Sequence, residues 1–283
     1  MRKTAISLLL AAAAFIPAFC QQPAASAIPY GNNKQAGNYY DIRGFKMYCE
    51  VYGQGQPLLI IHGNGGSINN FAFQIPYFSS RYKVIVADSR SQGKSADKSD
   101  SLSYEMMADD YAALLDAMKI DSAFVIGWSD GGINGLLLAI RHPQKVKKLA
   151  VTGANLWPDT SAVYQEVIDM VEPEYTPLKN NASKTDVQKN QWKLIRLLIE
   201  EPHIPLTSIQ TIKCPSLIIG GDHDVIKEEH TMLIYKNIPN AYLWILPNSG
   251  HSTPIVYKDY FNQTVADFFS KPYRKISQAG RFN

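Results

Sequence analysis

Short, continuous apolar runs alternate with longer amphipathic stretches along most of this chain. Residues 58–61, 84–87, 123–127, 149–152, 217–219 and 242–246 are mostly apolar and end at polar or turn-forming positions, the pattern of strands buried on both faces. Residues 38–42 and 46–52 flank Arg43 and Gly44 and read as an opening hairpin. Residues 104–118 repeat at helical spacing, with Met107, Tyr111, Leu114, Leu115 and Met118 on one side, and 133–141 read as another helix. This alternation predicts an α/β fold, a mostly parallel eight-stranded sheet with helices on both faces.

Residues 155–211 break the rhythm. They carry prolines at 158, 173 and 177 and a polar loop at 180–184, with helical spacing only in 161–171 and 187–200. The stretch reads as an insertion within one domain spanning 38–270. With 283 residues, 46% hydrophobic and 19% charged, the chain is long enough to bury one large core. A net charge of +3 is too small and too dispersed to argue for nucleic acid or an anionic membrane surface as partner.

The N-terminus has a different character. Arg2 and Lys3 precede an alanine-rich apolar run at 5–19, too short to span a bilayer comfortably, with small residues near its exit. Residues 1–20 therefore read as a secretory signal, 21–37 as a flexible leader, and the chain as exported to the periplasm or medium, with no stable membrane insertion once the signal is removed. Cleavage after Cys20 is preferred to a lipid anchor on Cys20, because Phe19 stands where a lipobox has a small residue. Residues 271–283 form a basic, apolar-poor tail expected to fray. Export places Cys49 and Cys214 in an oxidising compartment; both read as packed small hydrophobes, with a disulfide between them left open.

The chemistry begins at Gly127-Trp128-Ser129-Asp130-Gly131-Gly132, which follows an apolar run and precedes a helix. Strand, Gly-x-Ser-x-Gly and helix in that order make a nucleophile elbow, whose tight turn needs near-bare neighbours two residues either side of the serine. A serine hydroxyl is a poor nucleophile unless a base and an orienting acid follow. Asp222 and Asp224 leave the end of a later strand, and His251 sits on the loop after the last one. Ser, Asp, His is the chain order of one hydrolase architecture and not of the chymotrypsin-like or subtilisin-like enzymes. Asp222, His223 and Asp224 are too close in sequence to converge on one ion, so no metal is expected. His62 reads as a loop-shaping residue, His142 as a helix cap, and His203 and His230 as solvated.

These motifs resemble the α/β-hydrolase superfamily over nearly all of 38–270. Ile60-Ile61-His62-Gly63-Asn64-Gly65-Gly66 is similar to its His-Gly loop, and residues 88–95 to its Asp-x-Arg-Gly-x-Gly-x-Ser loop, with Ser91 in place of the first glycine. The Gly-Trp-Ser-Asp-Gly-Gly form is similar to the valacyclovir-hydrolase-like branch. The resemblance implies a helical lid at 155–211 and a catalytic triad of Ser129, Asp224 and His251, Asp224 being picked by the Gly-x-x-Asp pattern counted from Gly221. It also implies an oxyanion hole from the backbone N–H groups of Asn64 and Asp130, no cofactor, and a small-molecule ester as substrate. Trp157 and Trp192 of the lid are candidate substrate contacts, as are Tyr164, Met170 and Leu197. The Asp130 carboxylate either meets a cationic substrate group or serves structure, by pairing with the lid or capping the helix. A carbon–carbon bond hydrolase or perhydrolase relative shares the same motif; an intact triad argues against a purely binding protein, and Ser129 against the epoxide hydrolases and dehalogenases of the fold, which carry Asp there.

Overall fold

The computed structural model describes residues 28–276. Its strands are β1 (Gly37–Ile42), β2 (Phe45–Tyr52), β3 (Gln56–Ile61), β4 (Tyr82–Ala87), β5 (Ala123–Trp128), β6 (Val146–Thr152), β7 (Ser216–Gly221) and β8 (Ala241–Leu246). They form one sheet in the order β1-β2-β4-β3-β5-β6-β7-β8. The β1–β2 and β2–β4 pairs are antiparallel and the rest parallel.

Successive side chains of a strand point to opposite faces, and the apolar runs divide accordingly. Leu59, Ile61, Ile85, Val125, Leu149, Val151 and Ile218 enter one core layer. Their neighbours Leu58, Ile60, Val84, Val86, Ile126, Ala150, Leu217 and Ile219 enter the other. Each fully buried Val, Leu or Ile among them is worth about 1.5–3 kcal/mol relative to exposure. The helices are α1 (Gln74–Ser79), α2 (Tyr104–Ala117), α3 (Asp130–Arg141), α4 (Gln165–Asn180), α5 (Asp186–Glu200), α6 (Leu206–Ile209), α7 (Glu228–Asn237), α8 (Thr253–Val256) and α9 (Lys258–Ser270). Residues of α2, α3 and α7 complete the first layer, and residues of α1 and α9 the second.

Several sequence expectations need correction. Helix α4 runs through Pro173 and Pro177 and ends at Asn180 instead of stopping near 171. Proline removes one ladder bond, and a helix with only Tyr175 buried leaves the freed carbonyls within reach of water. Residues 28–37 are docked, not flexible. Glu50, fully buried on β2, accepts from the backbone N–H of Gly31 (2.9 Å) and Asn33 (2.8 Å) and from the hydroxyls of Tyr48 (2.8 Å) and Tyr52 (2.7 Å). At the other end, the Tyr242 hydroxyl meets the backbone of Arg274 and the Tyr242 ring faces Tyr273, so Tyr273 and Arg274 lie against β8. Cys49 and Cys214 are unbridged, one on β2 and one at the entrance to β7. Residues 1–27, with the signal read at 1–20, lie outside the described residues. Among those described, no helix is long and apolar enough to cross a membrane.

Candidate active site

Chain direction reverses its side of the sheet at β3, whose neighbours are β4 and β5. At such a switch point, loops leaving the C-terminal strand ends part and open a crevice. The His-Gly loop follows β3, Ser129 follows β5, Asp224 follows β7 and His251 follows β8. Ser129 takes φ 57° and ψ −123°, a strained conformation fixed by its N–H on Thr152 O (2.9 Å) and by Gly132 N–H on its carbonyl (2.7 Å). The bare neighbours are a steric requirement: a Cβ on Gly127 would lie 2.1 Å from Gly131 O, and one on Gly131 2.0 Å from Ile61 O.

His251 bridges the other two groups. Its Nε2 lies 2.9 Å from Ser129 Oγ and its Nδ1 2.6 Å from Asp224 Oδ1. Asp224 is buried and also accepts from Ile226 N–H at 3.3 Å. Burial alone raises a carboxyl pKa, but the facing imidazole together with the backbone N–H groups of Ile226 and Gly221 outweighs it, and the Asp224 pKa lies below its ordinary value. Burial likewise works against charge on His251, yet Asp224, aided by Asp130, raises its pKa above the ordinary value. This array can take a proton from Ser129, hold the imidazole tautomer and stabilise the imidazolium. Asp222 is turned away, accepting from Ser249 N–H and pairing with exposed His223.

A cavity of about 700 Å³ opens over Ser129 and His251. Val167, Ile168 and Val171 of α4 and Leu194, Ile195 and Leu198 of α5 supply its apolar wall. Asn64 and Asp130 line it beside the serine, as expected of residues whose backbone N–H groups would meet an oxyanion. The Asp130 carboxylate neither pairs with a charged lid residue nor stands free: it accepts from Asn64 Nδ2 (2.9 Å) and from the Tyr104 hydroxyl. Burial raises its pKa to about 6, against the pull of those donors and of His251. Glu174 and Glu201 also line the cavity, and among the described residues no Lys or Arg does. Among the described residues, no three His, Cys, Asp or Glu side chains gather to hold a metal ion.

Trp157 and Trp192 do not line this space. Trp157 packs edge-on to His230 and donates to Ser161 Oγ, while Trp192 packs at a tilt against Tyr175 between α4 and α5. Tyr164 and Leu197 also stay out of the wall, whereas Met170 is in it. His230 is 2% exposed, not solvated: its Nε2 accepts from Leu156 N–H, and burial lowers its pKa to about 4. His62 shapes its loop as expected, with Nε2 accepting from Ser89 N–H and Nδ1 donating to Gly63 O. His142 closes α3 and faces Asp109.

Sequence reasoning missed three residues that hold the site. Lys193 of α5, 3% exposed, donates to Ser91 Oγ and to the carbonyls of Asp97 and Ser99. Ser91 sits at φ 66°, where the related loops place glycine, and its hydroxyl is what α5 grips. The signal was helical spacing, since Lys193 lies one turn from buried Leu197. Trp128 is the second, its indole N–H donating to His251 O at 2.8 Å. Gly153 is the third: at φ 63° it leaves room for the imidazole, and a Cβ there would stand 2.8 Å from His251 Cε1.

A family model for the alpha/beta hydrolase fold matches residues 56–177. The serine hydrolase BPHL of Homo sapiens is 25% identical over 244 residues, covering 80% of this chain and 84% of its own. A 2-hydroxy-6-oxo-6-phenylhexa-2,4-dienoate hydrolase of Burkholderia cepacia is 25% identical over 272 residues, covering 82% and 94%. The solved structure of a thermophilic esterase from Thermogutta terrifontis superposes with a TM-score of 0.71 at 18% identity, covering 84% of this chain and 100% of that one. The chain has the α/β-hydrolase fold, and the family match and these relatives support its place in that superfamily. It is a hydrolase of that fold.

Proposed function

We propose that this chain is an exported serine hydrolase that cleaves small or medium carboxylic esters through an acyl-enzyme. The in-line Ser129–His251–Asp224 array at 2.9 and 2.6 Å carries the reading. His251 takes the Ser129 proton as Oγ attacks the carbonyl carbon, then returns it to the leaving alcohol; water, activated the same way, frees the acid. The N–H groups of Asn64 and Asp130 meet the oxyanion, each donor worth about 3–4 kcal/mol in sites of this kind.

The charge of the cavity favours esters over the carbon–carbon reading. A dienoate, as named for the Burkholderia relative, is a carboxylate, and here it would enter an apolar space that holds Asp130, Glu174 and Glu201 and, among the described residues, no Lys or Arg. Neutral or cationic esters meet no such cost. Labelling with a fluorophosphonate and mapping the adduct tests the nucleophile, and adduct on any residue but Ser129 overturns it. A panel of neutral, α-amino and carboxylate-bearing esters tests the charge preference, with dienoates as the competing substrates. In that panel Asp130→Asn should cost more on α-amino than on neutral esters, by about tenfold for a lost charge-assisted contact. Export rests on the N-terminal sequence: the mature chain from periplasm or medium should begin at or near Gln21, and a lipid on Cys20 would overturn that reading.

A further inference from the structure

Building on the acyl-transfer reading above, we propose that Asn64 is a positioning residue whose side chain makes the oxyanion hole depend on the seating of α5. One amide nitrogen carries the link. Asn64 Nδ2 donates to Asp130 Oδ2 at 2.9 Å and to the backbone carbonyl of Leu194 on α5 at 3.1 Å. The two residues that offer N–H groups to the oxyanion are thus braced side chain to side chain, and the brace is tied to the insertion.

The loop needs such a brace. Asn64 stands among Gly63, Gly65 and Gly66, with Gly65 at φ 63°. Backbone of that composition has little stiffness of its own, while an oxyanion donor must be held within a few tenths of an ångström of its working distance. Asp130 is fixed by the first turn of α3 and by Tyr104, so its carboxylate is a firm point for Asn64 to grip. The other point is equally firm. Lys193, the residue before Leu194, is buried on Ser91, Asp97 and Ser99, and Asp97 is held by Arg90, itself bidentate on Asp110. The register of α5 is set at Lys193 and passed to the oxyanion loop one residue later.

The test is steady-state turnover of a neutral ester, normalised to the number of serines titrated by a fluorophosphonate. Asn64→Ala keeps the backbone N–H and removes the brace; Asp130→Ala cuts the same bond from its other end. Each should lower kcat about tenfold with KM changed less than about twofold, and the double variant should be little worse than either single one. Asp130→Asn retains an oxygen for Asn64 and should recover most of the Asp130→Ala loss. Ser91→Ala, remote from the serine, loosens the Lys193 anchor and should lower kcat about twofold, an effect that vanishes in the Asn64→Ala background. Full kcat per titrated site in Asn64→Ala, or losses that simply add, would overturn the coupling while leaving the serine-hydrolase reading intact. A wild-type protein that neither takes the label nor turns over ester would overturn both.

Discussion

The indole N–H of Trp128 donates to the backbone carbonyl of His251 at 2.8 Å, so the residue just before the serine tethers the loop carrying the imidazole that faces it. The Trp128 ring is buried edge-on against Phe71, which anchors the donor from behind. Trp128→Phe keeps the ring and deletes the donor. Ester kcat should fall about three- to tenfold, more than KM changes, since the imidazole loses a constraint while Trp128 is only one of many residues lining the cavity. A variant with unaltered kcat would show that the tether is idle in turnover.

On the proposed mechanism Ser129, His251 and Asp224 act as a unit, so Ser129→Ala and His251→Ala should each cost on the order of a thousandfold or more in kcat while the circular dichroism spectrum stays native. Asp224→Asn should be somewhat milder, and Asp222→Asn nearly silent, as its carboxylate only holds a turn. Reversed severities for the two aspartates would unseat Asp224 as the orienting acid.

The pH dependence follows from signs. His251 must be neutral to accept the Ser129 proton, and the facing Asp224 raises its pKa, against the opposing effect of burial, above the ordinary histidine value of about 6.5. The acid limb of kcat/KM should therefore titrate above 6.5 and not below it. Asp130 is raised too, to about 6, so its negative charge is present above that pH and lost below it. Dividing kcat/KM for an α-amino ester by that for a neutral ester cancels the His251 titration. The quotient should drop as the pH falls through about 6, and a flat quotient would count against any role for the Asp130 charge in selection.

Glu50 supplies a stability prediction. A chain beginning at Lys34 lacks the Gly31 and Asn33 donors and leaves a buried carboxylate with two of its four bonds. Relative to a chain beginning at Ile28, it should lose at least about 2 kcal/mol in urea unfolding. Glu50→Gln in the shorter chain, which removes the uncompensated charge, should restore part of that loss. Equal unfolding midpoints for the two chain lengths would contradict the anchoring role.

What the sequence made legible was whatever depended on local chemistry. Continuous apolar runs such as 58–61 admit few fates other than a doubly covered strand, and Gly127 and Gly131 can flank Ser129 for a steric reason visible in the letters themselves. Trp157 and Trp192 were illegible for the opposite reason. A large aromatic at helical spacing declares that it is buried, but not against which partner, and here the partners are His230 and Tyr175 instead of the cavity. Val167, Ile168 and Val171 of α4 make the wall in their place. His230 was misread because α7 looks polar overall; the buried face made with Thr231 and Ile234 emerges only once α7 is set against β7 and β8.

The insertion is held unequally, and that inequality bears on how such a protein can change. Helix α5 is bolted down by a buried lysine, so substitutions along its inner edge disturb the folded body and the loop beside Ser129 together. Helix α4 buries only Tyr175 and offers the cavity a few aliphatic side chains. Mutations there should alter the shape presented to an incoming molecule with less disturbance to the folded body than mutations along the inner edge of α5. New substrate tastes can therefore arise by drift in α4 alone, with the chemistry inherited unaltered.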